Sequence, residues 1–183
     1  MAPLTFTWFG REFDLFDHSY NATLANERAV EVPLAVEWLT DRVMSDGLEI
    51  GNVLSHYGAP AHRIVDLHEQ AAGVENMDLF DVTERFDWVL SISTIEHSVD
   101  PVAALDHLRS LLAPGGLLFV TIPGGISTEL DCYLAHEGAD ASRCGTLVRS
   151  GGGWYQTLGL AFLPYGWSSG HAESVFIGEW EAE

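Results

Sequence analysis

The stretch FDWVLSISTIEHSVDPVAALDHLRSLLAPGGLLFVTI, residues 86–122, decides the fold class. It opens and closes with apolar runs, Phe86–Ser93 and Leu117–Ile122, that are typical of buried β-strands. Between them, apolar side chains recur at helical spacing over Asp100–Leu112, where Asp100-Pro101 supplies an N-cap and a proline at the first helical position. Pro114-Gly115-Gly116 is predicted to end this helix and turn into the second strand. Strand, helix and strand in this order predict a right-handed crossover and a parallel sheet with helices on both faces.

The flanking sequence extends this α/β pattern. Alternating residues at 4–9 and 12–16, around Gly10-Arg11, predict an N-terminal β-hairpin. Helical spacing runs from Thr23 to Val43, and Pro33 is predicted to divide this stretch or to start its second helix. Further strands are predicted at Leu48–Gly51, His62–Leu67, Met77–Leu79, Gly145–Ser150, Gly153–Leu158 and Glu173–Trp180. The chain therefore predicts a Rossmann-like α/β fold with a mostly parallel sheet and an added N-terminal hairpin.

Length and cysteine usage indicate one domain in a reducing compartment. The 183 residues fit a single domain, and no apolar run is long enough to cross a bilayer. The N-terminus has neither the basic nor the apolar region of an export signal. Cys132, His136 and Cys144 lack the C-x-x-C spacing of a zinc site, so no metal is predicted. We expect a cytoplasmic protein without a membrane partner.

The charge balance excludes several functions. The chain has 27 acidic and 8 basic residues, a net charge of -19, and every base is an arginine. Without lysine, it cannot form a pyridoxal Schiff base, complete a Walker A loop or use a lysine nucleophile. A domain this acidic repels phosphate backbones, so nucleic acid is excluded as a predicted partner.

Candidate ligand-binding residues follow the predicted strands, because open parallel sheets bind ligands at the carboxyl ends of their strands. Gly51 lacks Cβ and would let the backbone approach a ligand closely. Asp66 ends its strand with a carboxylate that can accept hydrogen bonds from the two hydroxyls of a ribose. A polar residue and a backbone amide near Asp78-Leu79 can recognise an adenine. Together these residues predict an adenosine lying across the sheet edge.

Several segments together resemble the class I S-adenosylmethionine-dependent methyltransferases, in particular a group of small bacterial and archaeal members. They are Glu49–Tyr57, Ser91–His97, and Leu111–Gly116 leading into Val120–Pro123. The resemblance implies S-adenosylmethionine as the cofactor. It assigns cofactor-binding roles to Glu49, Gly51, Asn52 and Val53 in the nucleotide loop, to Asp66 and Leu67 at the ribose, to Asp78 and Leu79 at the adenine, and to Ser91, Ile92 and Ser93 near the methionine portion. Val53 and Ser55 replace the second and third glycines of the usual loop, so a NAD fingerprint is absent.

The resemblance also divides the chain into a hairpin at 1–20, a cofactor-binding core at 45–125 and an acceptor-side region at 126–183.

His97 is the predicted general base, with the alternative that it only caps or pins its loop. Arg149 and Trp154 are the predicted substrate residues, although Arg149 could instead pair with a carboxylate. The chain is short for the class. The site is therefore expected to be open, to suit a bulky or carrier-linked substrate, or to be completed in a homo-oligomer. The resemblance implies a small-molecule acceptor related to a sugar or glycan.

Two other functions remain open at this stage. The chain could be a non-catalytic S-adenosylmethionine-binding partner or regulatory protein, which the two lost glycines favour. Gly166-Trp167-Ser168-Ser169-Gly170 also matches the nucleophile elbow of serine hydrolases. That elbow needs a following helix and a distant histidine, whereas a predicted strand and the adjacent His171 follow here, so we interpret it as a turn.

Overall fold

Ten strands and three α-helices make up the part of the chain that the computed structural model describes, which is residues 4–21, 24, 26–58, 61–137, 140–166 and 171–183. In chain order they are β1 Thr5–Trp8, β2 Arg11–Asp14, α1 Arg28–Leu39, β3 Gly47–Ile50, β4 Arg63–Asp66, β5 Val74–Asn76, β6 Phe86–Ile92, α2 Pro101–Ser110, β7 Leu112–Pro123, α3 Thr128–Glu137, β8 Arg143–Ser150, β9 Gly153–Gln156 and β10 Ser174–Glu181. None of the helices in these ranges is both long and apolar enough to cross a membrane.

Eight of the strands form one sheet in the order β5-β4-β3-β6-β7-β10-β8-β9. The five from β5 to β7 are mutually parallel, β10 is antiparallel to both β7 and β8, and β8 is antiparallel to β9. Strands β1 and β2 form a separate antiparallel hairpin. The predicted fold class, a mostly parallel sheet with an N-terminal hairpin, is confirmed. Strand order reverses between β3 and β6, which is where such sheets bind ligands.

The sheet is covered on both faces, as predicted. Successive side chains of β6 point to opposite faces, so Trp88, Leu90 and Ile92 join a core with α1 and the hairpin. Val89 joins a second core with α2 and α3. Burial of each such side chain stabilises the fold by about 1.5–3 kcal/mol.

Helix α1 runs through Pro33 without a break, so the predicted division at this proline is wrong. Proline lacks the N–H that would bond to the carbonyl of the residue four positions earlier. That carbonyl, on Ala29, instead accepts a hydrogen bond of 2.9 Å from the backbone N–H of Phe16. A segment distant in sequence therefore supplies the donor that the proline cannot.

The strand predicted at Met77–Leu79 is also displaced. The structure places β5 just before it, and Leu79–Asp81 forms a 3₁₀ turn capped by Asp78, whose carboxylate accepts from the Phe80 N–H at 3.0 Å. Pro114-Gly115-Gly116 lies within β7 and does not connect it to α2. There Gly115 and Gly116 exchange backbone hydrogen bonds with Ala182 at 3.1 and 2.9 Å, which keeps the strand paired.

Helix α3 was not predicted. It buries Leu130 and Leu134, one turn apart, against the core that also holds α2. The Ser127 hydroxyl accepts from the Leu130 N–H at 3.3 Å at its start. Two buried positions on a short helix give too weak a periodicity to recognise in the sequence.

Candidate active site

The loop after β3 is shaped by a fully buried carboxylate. Glu49 Oε1 accepts hydrogen bonds from the N–H groups of Val53 and Leu54 at 2.9 and 2.8 Å. Its Oε2 lies 2.7 Å from Nε2 of His62, which is also buried. Val53 is 6% exposed and packs into the core on the hairpin side. Glu49 and Val53 thus hold the loop after β3 in place from within the protein.

Gly51 marks a close approach between the two loops at the switch point. Its φ is +86°, and a Cβ there would lie 2.1 Å from Oγ1 of Thr94, at the end of β6. Thr94 is fixed because its hydroxyl donates to the Ile92 carbonyl at 2.9 Å. The glycine is therefore required by a contact inside the protein, and the approach of a ligand stays a prediction.

Asp66 lies at the carboxyl end of β4 and binds the backbone of two loops. Its Oδ1 accepts from the N–H groups of His68 and Glu69 at 2.8 and 2.7 Å, and its Oδ2 accepts from the Asn52 N–H at 3.1 Å. Partial burial alone would raise the pKa of this carboxyl, but the three backbone donors together lower it. The carboxylate is ionised at neutral pH, and Oδ2 retains a lone pair for a further donor.

Beside it, Asn52 presents an unused donor. The Asn52 side chain accepts from the Ser55 hydroxyl, while its Nδ2 is buried without a hydrogen-bond partner among the described residues. A carboxylate with spare acceptor capacity next to an unpaired amide N–H fits the paired hydroxyls of a ribose. These residues are compatible with a bound nucleoside.

The other predicted cofactor residues lie along the same sheet edge. Leu67 follows β4 and is 51% exposed, whereas Asp78 and Leu79 follow β5 and are half-buried. At the end of β6, Ser91 and Ile92 are fully buried, and the Ser91 hydroxyl donates to the Ile50 carbonyl at 3.2 Å. Ser93, at φ +42°, is the least enclosed of this group.

A group of buried charged residues at this edge was not predicted. Glu31, on α1, is fully buried, and its Oε1 accepts from the hydroxyls of Ser93 and Thr121, the latter at 2.8 Å. Its Oε2 lies 2.6 Å from Nη1 of Arg28. Glu27 accepts from the Ala172 N–H at 3.2 Å, and Glu96 lies in the 3₁₀ turn Ile95–His97 after β6. We call Glu27, Glu31 and Glu96 the acidic cluster.

The acidic cluster perturbs the pKa values of its own members. Burial raises the pKa of Glu96 to about 8; the charges of Glu31 and Glu27 add to this, and Arg28 opposes it. Burial also raises the pKa of Glu27, with a further contribution from Glu31. One sequence signal could have revealed the cluster: Glu31 has apolar neighbours three, four and seven positions later, Leu34, Ala35 and Trp38. An acid in that pattern lies on the buried face of its helix.

His97 stands at the exposed side of this cluster. Its side chain is 64% exposed, and its Nε2 lies 3.6 Å from Oε1 of Glu96. Partial burial lowers the pKa of the imidazole, and the Arg28 charge lowers it further. The ring can therefore exchange protons between Glu96 and solvent at neutral pH.

The predicted substrate residues face each other across β8 and β9. Arg149 and Trp154 are register partners, and the Arg149 guanidinium forms an ion pair with Glu173. Trp154 is 2% exposed and packs in the core with Phe6 and Trp8. From the sequence, Arg149 could bind either a substrate or a carboxylate, and the structure pairs it with the carboxylate of Glu173. A substrate contact of Arg149 or Trp154 stays a prediction. Residues 167–170 of the predicted elbow lie outside the described residues.

Two surface clefts lie away from this edge. One, of about 220 Å³, is lined by residues of the hairpin, α1 and β8, including Arg11, Trp38 and Arg143. The other, of about 600 Å³, borders the start of β7 and the end of β10. Both contain acidic and basic residues together.

Comparisons with known proteins agree with this geometry. The family model of the methyltransferase domain matches residues 13–150. A ubiquinone biosynthesis O-methyltransferase of Cereibacter sphaeroides is 32% identical over 114 residues, which are 56% of this chain and 44% of that protein. A second such enzyme from this species is 51% identical over 41 residues, 22% of this chain and 17% of that protein. The chain therefore spans less than half the length of the curated relatives it matches.

Solved structures share the fold. The N-methyltransferase NodS of Bradyrhizobium japonicum, in complex with S-adenosyl-L-homocysteine, superposes with a TM-score of 0.54 at 16% identity, covering 85% of this chain and 87% of that one. A possible histamine N-methyltransferase of Thermotoga maritima superposes with a TM-score of 0.51 at 19% identity, covering 82% of this chain and 87% of that one. Because the family model spans well over half of its residues, the chain belongs to the methyltransferase domain family.

Proposed function

We propose that the chain binds S-adenosylmethionine at the strand-end site and catalyses methyl transfer to a small-molecule acceptor. The observation that supports this most directly is Asp66 beside the unpaired Asn52 amide, at the point where strand order reverses. Asp66 and Asn52 would hold the ribose, with Leu67 beside them, and Asp78 and Leu79 would contact the adenine. Ser93 would lie near the methionine portion.

When bound, the cofactor supplies an electrophilic methyl group on a sulfonium. The work of the protein is then to orient an acceptor atom toward that methyl group and to remove a proton where the acceptor carries one. His97 and Glu96 are titratable residues in the turn after β6, where the methionine portion is expected. Residues 45–125 would supply the cofactor site, and residues 126–183 the acceptor side.

The acceptor is a further question. The curated relatives are named as O-methyltransferases of ubiquinone biosynthesis, but the chain matches less than half of their length, so their acceptor does not carry over to it. The sugar or glycan acceptor, the carrier-linked substrate, the homo-oligomer and the cytoplasmic location stay predictions from the sequence.

Calorimetric titration with S-adenosylhomocysteine tests the cofactor site. We expect the wild type to bind with a dissociation constant in the micromolar to low-millimolar range. Asp66→Asn keeps the shape but removes the negative charge, and should weaken binding about tenfold, or about 1.4 kcal/mol. Asp87→Asn is the matched control, since Asp87 is exposed near the other end of the sheet, and it should bind as the wild type does. Absence of binding by the wild type would contradict the proposal.

The same protein separates a catalyst from a non-catalytic binder. The non-catalytic alternative is favoured by the crossover from β3 to β4, whose described residues form only a 3₁₀ turn at Leu54–His56 where an α-helix is usual. S-adenosylmethionine is incubated with oxygen and nitrogen acceptors, and S-adenosylhomocysteine is quantified by mass spectrometry. Acceptor-dependent product formation supports the enzyme. Cofactor binding with no turnover of any acceptor supports the binder.

A further inference from the structure

The three carboxyl groups of the acidic cluster face one arginine, Arg28. They lie together over the carboxyl ends of β6 and β7, since Glu31 bonds to Ser93 and Thr121 there. Arg28 pairs with Glu31 and compensates one of them. Among the described residues, the remaining contact to a basic group is that of His97 with Glu96 at 3.6 Å. Buried carboxylates are ordinarily paired with cations, so the cluster has room for a second positive charge.

Glu96 has the fewest contacts that could stabilise a charge. Its side chain has no exposed surface, neither carboxyl oxygen forms a hydrogen bond to another described residue, and its polar neighbours are its own backbone N–H and Nε2 of His97 at 3.6 Å. Glu49, equally buried one strand away, shows how this fold satisfies a carboxylate, with two backbone donors and a histidine. Removing an ionised carboxylate from water without a strong partner costs several kcal/mol, so Glu96 is mostly protonated at neutral pH in the free protein. A buried acid whose pKa is shifted in this way indicates a role in binding or catalysis.

Two tyrosines border the cluster. Tyr57 packs against the Phe16 and His18 rings, and its phenol donates to Asn21 at 2.6 Å. Burial raises its pKa to about 12, with further contributions from Glu31 and Glu27. Burial together with the charges of Glu27 and Glu96 raises the pKa of Tyr165. Both phenols are therefore neutral, and aromatic rings beside carboxylates are typical surroundings of an ammonium group.

We propose that the methyl acceptor is an amine, bound as its ammonium ion by Glu96, which gives up its own proton to solvent when the cation binds and takes one from the nitrogen before methyl transfer. This inference rests on the proposed function and names the substrate class of that site. Because Glu96 is fully buried, the amine must displace residues that now shield it from solvent. Tyr165 is one residue near Glu96, since the Glu96 charge raises its pKa. The described residues of this cluster supply one arginine against three carboxyl groups, so they lack the excess of positive charge that an anionic acceptor would need.

The step is balanced in protons and electrons. The ammonium transfers one proton to Glu96, which becomes a neutral carboxylic acid, and the nitrogen recovers its lone pair. That lone pair forms the new N–C bond while the S–C bond of the sulfonium breaks and leaves its electron pair on sulfur. The proton then passes from Glu96 to His97 and to solvent, which restores the carboxylate.

The test compares three ligands of matched shape and different charge. Wild-type protein saturated with S-adenosylhomocysteine is titrated by calorimetry with phenethylamine, 2-phenylethanol and 3-phenylpropanoate. We expect the amine to bind at least tenfold more tightly than the alcohol, and the carboxylate to bind more weakly than either. Glu96→Gln should abolish the preference for the amine. Glu129→Gln, which removes an exposed charge on α3, should retain it.

The outcomes distinguish this inference from the proposed function. If S-adenosylhomocysteine does not bind, the proposed function fails, and the inference fails with it. If S-adenosylhomocysteine binds and the amine shows no preference over the alcohol, the inference is overturned while the function stands. Turnover of phenolic acceptors without turnover of amines overturns it as well. The wild-type comparison does not depend on the folding of any variant, and thermal unfolding checks that Glu96→Gln is folded.

Discussion

At the scale of single residues, Glu96 makes stability depend on pH. Its pKa of about 8 in the folded protein exceeds that of an ordinary glutamate, so the folded state binds more protons than the unfolded state between about pH 4.5 and 8. Its contribution to stability is therefore lost as pH rises through this window. We expect the free energy of unfolding of Glu96→Gln to match that of the wild type at pH 5. At pH 8.5 it should exceed the wild-type value by more than about 1.4 kcal/mol, the equivalent of one pKa unit.

Denaturant unfolding at the two pH values measures this difference. The other titratable groups around Glu96, namely Glu27, Glu31, Arg28, His97 and Tyr165, are present in both proteins, so the comparison isolates position 96. Glu129→Gln controls for the loss of one negative charge. A stability difference that is the same at both pH values would contradict the raised pKa.

A second residue-scale prediction concerns His97. If it relays protons between Glu96 and solvent, His97→Gln should lower the turnover number by about 10²–10⁴-fold, the usual contribution of a general acid–base group. The affinity for S-adenosylhomocysteine should stay unchanged, because the ring is 64% exposed and contacts Glu96, not the loop at Asp66. Steady-state kinetics and calorimetry together measure this. Unchanged turnover would support a role confined to holding the loop.

At the scale of elements, helix α2 begins with a defined cap. The Asp100 carboxylate accepts from the Ala103 N–H at 2.9 Å, and Pro101 occupies the first turn. Asp100→Ala should lower the free energy of unfolding by about 1 kcal/mol, the typical loss for an N-cap. Asp100→Ser keeps a capping oxygen and should lower the free energy of unfolding by only about a few tenths of a kcal/mol. Urea unfolding measures both variants, and an unchanged free energy of unfolding for Asp100→Ala would show that the cap contributes nothing.

The elements show which features a sequence can predict. The α2 cap and the apolar runs of β6 and β7 depend on neighbouring residues, and they were predicted. The continuity of α1 through Pro33 depends on a donor from Phe16, which no local pattern contains. The residues of the site differ in the same way. The position of Asp66 can be predicted from the end of its strand, whereas the acidic cluster forms only when α1 packs onto β6 and β7.

At the scale of the whole molecule, the arginines are already used within the fold. Six of the eight form ion pairs with carboxylates, and Arg42 and Arg85 donate to backbone carbonyls. Most of the 27 acids therefore repel one another without a compensating base nearby. This repulsion acts between exposed charges over several ångströms, where dissolved salt screens it.

Salt should accordingly stabilise this protein. Raising NaCl from 10 to 300 mM shortens the screening length from about 30 Å to below about 8 Å, so the unfolding temperature at pH 7.5 should rise by several degrees. The control is pH 5, close to the isoelectric point of about 4.5, where net repulsion is small and the same salt increase should have little effect. Thermal unfolding followed by circular dichroism measures both. A fall in unfolding temperature with salt at pH 7.5 would mean that the arginine ion pairs contribute more than the repulsion among the remaining carboxylates.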